Sequence, residues 1–219
     1  MKPRALLFDW DNTLVDSWGV IHAALHETFT AMGHRPWTLE ECKQRVRTSA
    51  REAFPKLFGD RGAEAMEIFY EAYGKSHLTV LAPLPGAQQL LHELTNAGYH
   101  LGIVSNKAGE LLRPEVAAIG WELYFSAVIG ANDAPADKPA PDAPAMALGA
   151  MGIEASEEVW FVGDTDIDMH CAVEIGCLPV LLRDEPPRSG EFADCRPRIH
   201  VDSCPALQGL IFGKEVCRS

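Results

Sequence analysis

The sequence is short of basic residues. It has 19 Lys and Arg against 31 Asp and Glu, a net charge of −12. Nucleic acid and anionic membranes are held by clustered cations, so neither is expected as a partner. A small anionic ligand remains compatible, because a local site can be positive on an acidic protein. No apolar run approaches the roughly 20 residues of a membrane-spanning helix. The start, Met1-Lys2-Pro3-Arg4, runs into a short strand-like segment without the longer apolar region and cleavage site of a secretory signal. A cytoplasmic location is the expectation. The six cysteines (Cys42, Cys171, Cys177, Cys195, Cys204, Cys217) include no CxxC pair and no zinc-like spacing. They read as free thiols rather than a disulfide framework. Internal repeats and low-complexity tracts are also absent.

What is present is a series of short apolar runs: Ala5–Phe8, Leu101–Val104, Ala127–Ile129, Val159–Val162, Pro179–Leu182 and Ile199–Val201. Several are nearly continuous rather than alternating, as in parallel strands covered on both faces. Helical patterns lie between them, near residues 86–97, 141–151 and 165–175, the first and last closed by Gly98 and Gly176. Strand–helix alternation predicts an α/β fold with a Rossmann-like parallel sheet. One interval breaks the rhythm. From about Val15 to Leu81 no strand is evident, only helical patterns near 18–32, 38–48 and 61–77, punctuated by Pro36, Pro55, Gly59 and Gly62. Thr38 and Glu41 have the spacing of a capping box. The expectation is a core of residues 1–15 and 82–219 with an inserted α-helical cap of residues 16–81, hinged near Asp16–Ser17 and Val80–Pro85.

Four polar clusters follow strand-like runs, where ligands bind in open α/β sheets. They are "DWDNT" (Asp9 to Thr13), "SN" (Ser105 and Asn106), "DKPAPD" around Lys138, and "GDTDID" (Gly163 to Asp168). Asp9 and Asp11 place two like charges at the end of a buried strand, which is unfavourable unless a cation, ligand or solvent compensates. Together the clusters assemble carboxylates, a hydroxyl and a lysine along one edge. That set suits phosphoryl transfer through an aspartyl intermediate. A hard cation with oxygen ligands offsets the phosphate charge. One carboxylate then attacks and a second carboxyl group moves the proton. Lysine and hydroxyl groups hold the oxygens.

These four motifs in this order, with a helical insertion after the first, resemble the haloacid dehalogenase superfamily with a type-1 cap. "FDWDNTLVDS", "SNK", "KPAPD" and "GDTDID" are most similar to its phosphoglycolate phosphatase-like group. The resemblance implies a phosphatase that requires Mg²⁺. Asp9 would be the nucleophile and a metal ligand. Asp11 would be the general acid/base, its main-chain carbonyl also on the metal. Thr13 would steady the loop, and Ser105, Asn106 and Lys138 would hold the phosphate. Asp164 would be the third metal ligand, with Asp168 either on the ion or beside it. The acid at position 11 separates phosphatases and phosphomutases from the dehalogenases, which lack it. Asn12 stands where the family commonly has Gly, and Asn tolerates the left-handed conformation. Trp10 is expected to stack on a cap residue or narrow the pocket.

Other residues have plainer readings. Asp166 reads as a helix N-terminal charge facing away from the site. His22 and His26 share a helical face but lack a third metal donor, so a surface pair is expected. Arg47 and Arg51 are read as sharing a face of the second cap helix, able to reach a substrate carboxylate or second phosphate. Trp18, Trp37, Trp121 and Trp160 are read as core or domain-interface residues, and Cys171 and Cys177 as core packing. The expected function is hydrolysis of a small phosphate monoester, phosphoglycolate-like or a sugar phosphate, by a monomer or homodimer. A sugar phosphomutase and a non-catalytic binding protein on the same fold stand as alternatives.

Overall fold

The computed structural model of the protein describes residues 2–213; Cys217 lies outside them. Six strands form one parallel sheet: β1 (Ala5–Phe8), β4 (His100–Ala108), β5 (Ala127–Ala131), β6 (Val159–Gly163), β7 (Leu178–Leu182) and β8 (Ile199–Val201). Their order is β5-β4-β1-β6-β7-β8, and every pairing is parallel. The chain leaves β1, builds outward through β4 and β5, then returns across β1 to lay down β6, β7 and β8. Beside β1 the winding therefore reverses direction. The carboxyl ends of strands diverge at such a point and leave a crevice for ligand.

The four residues of β1 are fully buried, because the sheet is covered on both faces. Leu6 and Phe8 point into one apolar layer with leucines of α6 (Ala87–Asn96), α7 (Gly109–Ala118) and α10 (Cys204–Phe212). Ala5 and Leu7 point into the other, against α8 (Asp142–Met151) and α9 (Asp166–Ile175). A strand alternates its side chains between faces, so a short continuous apolar run supplies both layers at once.

Between β1 and α6 the chain makes a two-stranded antiparallel ribbon from β2 (Val15–Asp16) and β3 (Ala82–Pro83). Inside that ribbon are five helices: α1 (Trp18–Ala31), α2 (Leu39–Arg45), α3 (Ala50–Phe58), α4 (Gly62–Gly74) and α5 (His77–Val80), with a 3₁₀ turn at Gly59–Arg61. They enclose their own apolar centre, built on Ile21, Leu25, Phe29, Phe54, Phe58 and Tyr73. The Thr38–Glu41 capping box forms at the start of α2.

Three helices were not foreseen: α3, α7 and the short α5. Both α3 and α7 carry an internal proline, Pro55 and Pro114. Proline withholds a donor from the carbonyl four residues earlier. Burial of Phe54 and Phe58 in one helix and of Leu112 and Val116 in the other outweighs that loss. The second inserted helix is also shorter than its pattern suggested. It stops at Arg45, and Val46 is extended. Arg47 therefore lies in a loop and Arg51 on the next helix, so they do not share a helical face. No helix among the described residues is long and apolar enough to cross a membrane. The five described cysteines are free and buried.

The end of β6 is tight. A Cβ on Gly163 would lie 2.3 Å from Asp168 Cγ, so only glycine lets the first turn of α9 close onto the strand. Gly163→Ala is expected to cost about 1–3 kcal/mol, the range for overpacking. Urea unfolding measures it, and an unchanged midpoint would contradict the stated crowding.

Candidate active site

The site begins where β1 ends. The Asp9 amide donates to the Val162 carbonyl at 2.8 Å, tying the ends of β1 and β6 together. The next residues turn sharply: the amides of Leu14 and Val15 donate to the Trp10 carbonyl, and the Asn12 amide to the Val15 carbonyl. Asn12 takes φ = 61°, so asparagine does serve where the turn requires a left-handed residue. This turn aims Asp9 and Asp11 at one cavity. Thr13 is fully buried beneath it, with its hydroxyl 3.5 Å from Asp164 Oδ1.

Lys138 is the centre of charge. Its ammonium lies 2.7 Å from Asp9 Oδ1 and 2.7 Å from Asp168 Oδ1, and it is almost wholly buried. Its main chain is gripped by Asn106, whose amide donates to the Lys138 carbonyl at 3.0 Å and accepts from the Lys138 amide at 2.9 Å. Asn106 thus places the lysine loop, a role its motif position did not disclose. Both oxygens of Asp168 are occupied, Oδ1 by Lys138 and Oδ2 by the amide and hydroxyl of Thr165.

Carboxylate oxygens of Asp9, Asp164 and Asp168 lie within 4.8 Å of one another. One lysine faces three acids. Burial above all, with the charges of Asp168 and Asp11 adding to it, pushes Asp9 up to about 7 against the opposing pull of Lys138. Burial, followed by Asp168 and Asp9, holds Asp164 well above the usual carboxylate range. Burial opposes the charge on Lys138, yet Asp168 and Asp9 outweigh it and keep its pKa above the ordinary lysine value. The cluster is short of positive charge and rich in oxygen donors, which fits a hard divalent cation such as Mg²⁺. Asp9 and Asp164 could hold such an ion. Asp168 is better described as the partner of Lys138 and Thr165.

The cavity beside this cluster measures about 160 Å³. Asp9, Asp11, Ser105, Asn106, Lys138 and Asp164 line it from the sheet side. Aromatic and apolar residues line it from the inserted helices, Trp18, Trp37 and Tyr70 among them, together with Arg45 and Arg47. Trp18 and Trp37 are thus cavity walls, and the guanidinium of Arg45 lies 5.3 Å from the Trp37 ring centre. Trp121 and Trp160 are buried in the core as expected. Arg51 does not line the cavity. It clamps the buried Asp137 next to Lys138, through contacts of 3.1 and 2.7 Å. Arg47 bonds the carbonyls of Lys43 and Val46 and lies 3.7 Å from Asp166. His22 sits 3.1 Å from the Trp37 carbonyl and stacks edge-on near His26.

Trp10 overturns its expectation. It is fully buried in the core rather than facing the pocket, edge-on to Trp121 and donating to Glu115 at 2.7 Å. Two functional neighbours were missed. Lys107 lies 2.7 Å from Asp11 Oδ1 and 2.5 Å from Glu115 Oε2. Lys107 stood in plain view as the last letter of "SNK". Glu115 carried a subtler signal, an acid on the stripe Leu112, Glu115, Val116 that α7 buries.

A family model described as haloacid dehalogenase-like hydrolase matches residues 6–181. The chain is 32% identical over 216 residues to a phosphoglycolate phosphatase of Pseudomonas fluorescens, covering 94% of this chain and 78% of that protein. It is 30% identical over 218 residues to a phosphoglycolate phosphatase of Cereibacter sphaeroides, covering 92% and 96%. Among solved structures, a haloacid dehalogenase-superfamily hydrolase from Ehrlichia chaffeensis superposes with a TM-score of 0.68 at 28% identity, covering 98% of each chain. A hydrolase from Pseudomonas syringae superposes with a TM-score of 0.82 at 22% identity, covering 96% and 98%, a likeness of fold. With sheet, motifs and family match in agreement, the protein is a hydrolase of the haloacid dehalogenase-like family.

Proposed function

We propose that the protein is a Mg²⁺-dependent phosphatase that hydrolyses a small phosphate monoester through a phosphoryl group carried on Asp9. The observation that carries this reading is the placement of Lys138 between Asp9 and Asp168 at the floor of the cavity that Asp11, Ser105 and Asp164 also line. Asp9 and Asp164, with the main-chain carbonyl of Asp11 as the resemblance implies, would hold the ion, which would supply positive charge against the phosphoryl oxygens. Asp9 attacks phosphorus as the bond to the leaving oxygen breaks. Asp11 gives that oxygen its proton. It then takes a proton from water, which attacks the phosphorus and frees Asp9. Lys138 and the Ser105 hydroxyl hold the phosphoryl oxygens meanwhile. The inserted helices, read as a cap, exclude bulk water.

Relatives that are phosphoglycolate phosphatases support a phosphorylated small acid as substrate. Arg47 on the cavity wall is the cation to receive its carboxylate. Arg47→Ala is expected to raise KM for 2-phosphoglycolate about tenfold more than for p-nitrophenyl phosphate, a difference worth about 1.4 kcal/mol. Equal effects on both esters would contradict that assignment.

Asp9→Asn should lower turnover of p-nitrophenyl phosphate on the order of 10⁴-fold or more and leave the fold intact. Substantial residual turnover in a verified variant would refute the mechanism.

The raised pKa of Asp9 gives a pH signature. The folded state holds that proton more tightly than the unfolded chain, so the stability it contributes is full at low pH. It is lost as pH rises from about 4 towards about 7. Mg²⁺ must displace the same proton, so its binding strengthens over that range. The rise in melting temperature on adding Mg²⁺ should be larger at pH 8 than at pH 5.5, and should shrink in Asp9→Asn. A rise independent of pH would contradict the placement of the ion on Asp9.

A further inference from the structure

Glu115 is fully buried in α7, and nothing in the chemistry above uses it. A buried carboxylate is costly unless several donors surround it. Here four do, and they divide by origin. Oε2 faces the sheet side, with Trp10 Nε1 at 2.7 Å and Lys107 Nζ at 2.5 Å. Oε1 faces the inserted helices, with the Tyr73 hydroxyl at 2.9 Å and His77 Nδ1 at 2.8 Å. Lys107, in turn, places its ammonium 2.7 Å from Asp11 Oδ1 and 5.1 Å from the centre of the Tyr73 ring. Burial, with the charges of Asp11 and Glu115, pushes the Tyr73 phenol far above its ordinary pKa, so it remains a donor. All of these side chains are buried or nearly so, and Trp10, Lys107 and Asp11 are within two positions of the cavity residues Asp9 and Ser105.

We infer that Glu115 is a positioning residue: its Oε2 holds Lys107 against Asp11, and its Oε1 makes that arrangement depend on Tyr73 and His77 of the inserted helices. The inference rests on Asp11 as the proton donor proposed above. A lysine has three donors and a flexible stem. Tethered at Glu115, its ammonium meets Asp11 from one fixed corner and keeps that carboxyl group directed into the cavity. Without the tether, Lys107 follows Asp11, and the acid loses its alignment with the leaving oxygen. When the inserted helices shift, two of the four donors on Glu115 shift with them. Proton delivery is then best aligned only when those helices are seated.

Leaving-group dependence separates positioning of an acid from general loss of structure. Phenol is a poor leaving group and needs a proton; 2,4-dinitrophenol is a good one and does not. The measurement is kcat/KM for phenyl, p-nitrophenyl and 2,4-dinitrophenyl phosphates, which reports the step that cleaves the ester. It is made on the wild type, Glu115→Gln, Lys107→Met, His77→Phe and Asp11→Asn, each checked for a cooperative melt. His77→Phe keeps a ring against Tyr73, removes one donor and lies away from the cavity, so it serves if Glu115→Gln does not fold. The expected result is a loss on phenyl phosphate at least about tenfold greater than on 2,4-dinitrophenyl phosphate in Glu115→Gln and Lys107→Met. His77→Phe should show the same trend at smaller size. Equal losses on all esters, or none, in these variants while Asp11→Asn shows the selective loss would overturn the role of Glu115. Equal losses in Asp11→Asn itself would overturn it too, and would trace the failure to Asp11 as the acid.

Discussion

The ammonium of Lys138, shared between Asp9 and Asp168, is the constraint on which the site depends. Asp9 follows β1 and Asp168 lies in the first turn of α9, and Asp164 comes in beside them on the loop after β6. Brought together without a cation they would repel one another at the buried end of a sheet. The lysine neutralises part of that charge and leaves the rest uncompensated, which is why burial and neighbouring acids hold Asp9 and Asp164 above their ordinary range. The residual deficit of positive charge is the physical ground on which a divalent ion is proposed. Much of the surrounding structure maintains this one contact. Asn106 fixes the lysine's main chain through two bonds. Gly163 lets Asp168 approach without a clash. Thr165 holds the second oxygen of Asp168. Arg51 pins Asp137, the residue before the lysine.

A second charged centre lies next to the first and works in the opposite sense. Around Glu115 one acid is surrounded by donors, where around Lys138 one cation is surrounded by acids. The two centres meet at the Asp9–Trp10–Asp11 turn. Asp9 faces Lys138, the Trp10 indole reaches Glu115, and Asp11 faces Lys107. Three consecutive residues thus connect the proposed nucleophile, the core and the proposed proton donor. That arrangement explains why Trp10 points inward although it separates two cavity residues. Its size fills the core against Trp121, and its indole N–H satisfies a buried acid.

The sheet was legible because its strands are short apolar runs, four of them followed by a polar cluster. Asp9, Asp11, Ser105, Lys138 and Asp164 stand in those clusters, and the parallel order of the sheet brings them to one cavity. What escaped was whatever depends on distant partners. Pro55 and Pro114 read as breaks, yet α3 and α7 persist because the phenylalanines and aliphatic residues beside them are buried. Arg47 and Arg51 looked like neighbours on one helix until the extended Val46 separated them. Lys107 and Glu115 become meaningful only when α7 folds back over β4 and meets helices inserted some forty residues earlier. Trp18 and Trp37 keep their interface reading, since the cavity they line lies between the inserted helices and the sheet-side residues. Trp37 also packs against the apolar centre of the inserted helices, and composition alone does not show that both rings border a cavity.

The account stands on Asp9 as the atom that takes phosphorus. Acid quenching during turnover of p-nitrophenyl phosphate, borohydride reduction and peptide sequencing by mass spectrometry would locate any acyl phosphate, because reduction converts a phosphorylated aspartate to homoserine. The account predicts homoserine at position 9 and at no other carboxylate. Turnover with Asp9 unmodified, or homoserine at Asp11 or Asp164 instead, would contradict it.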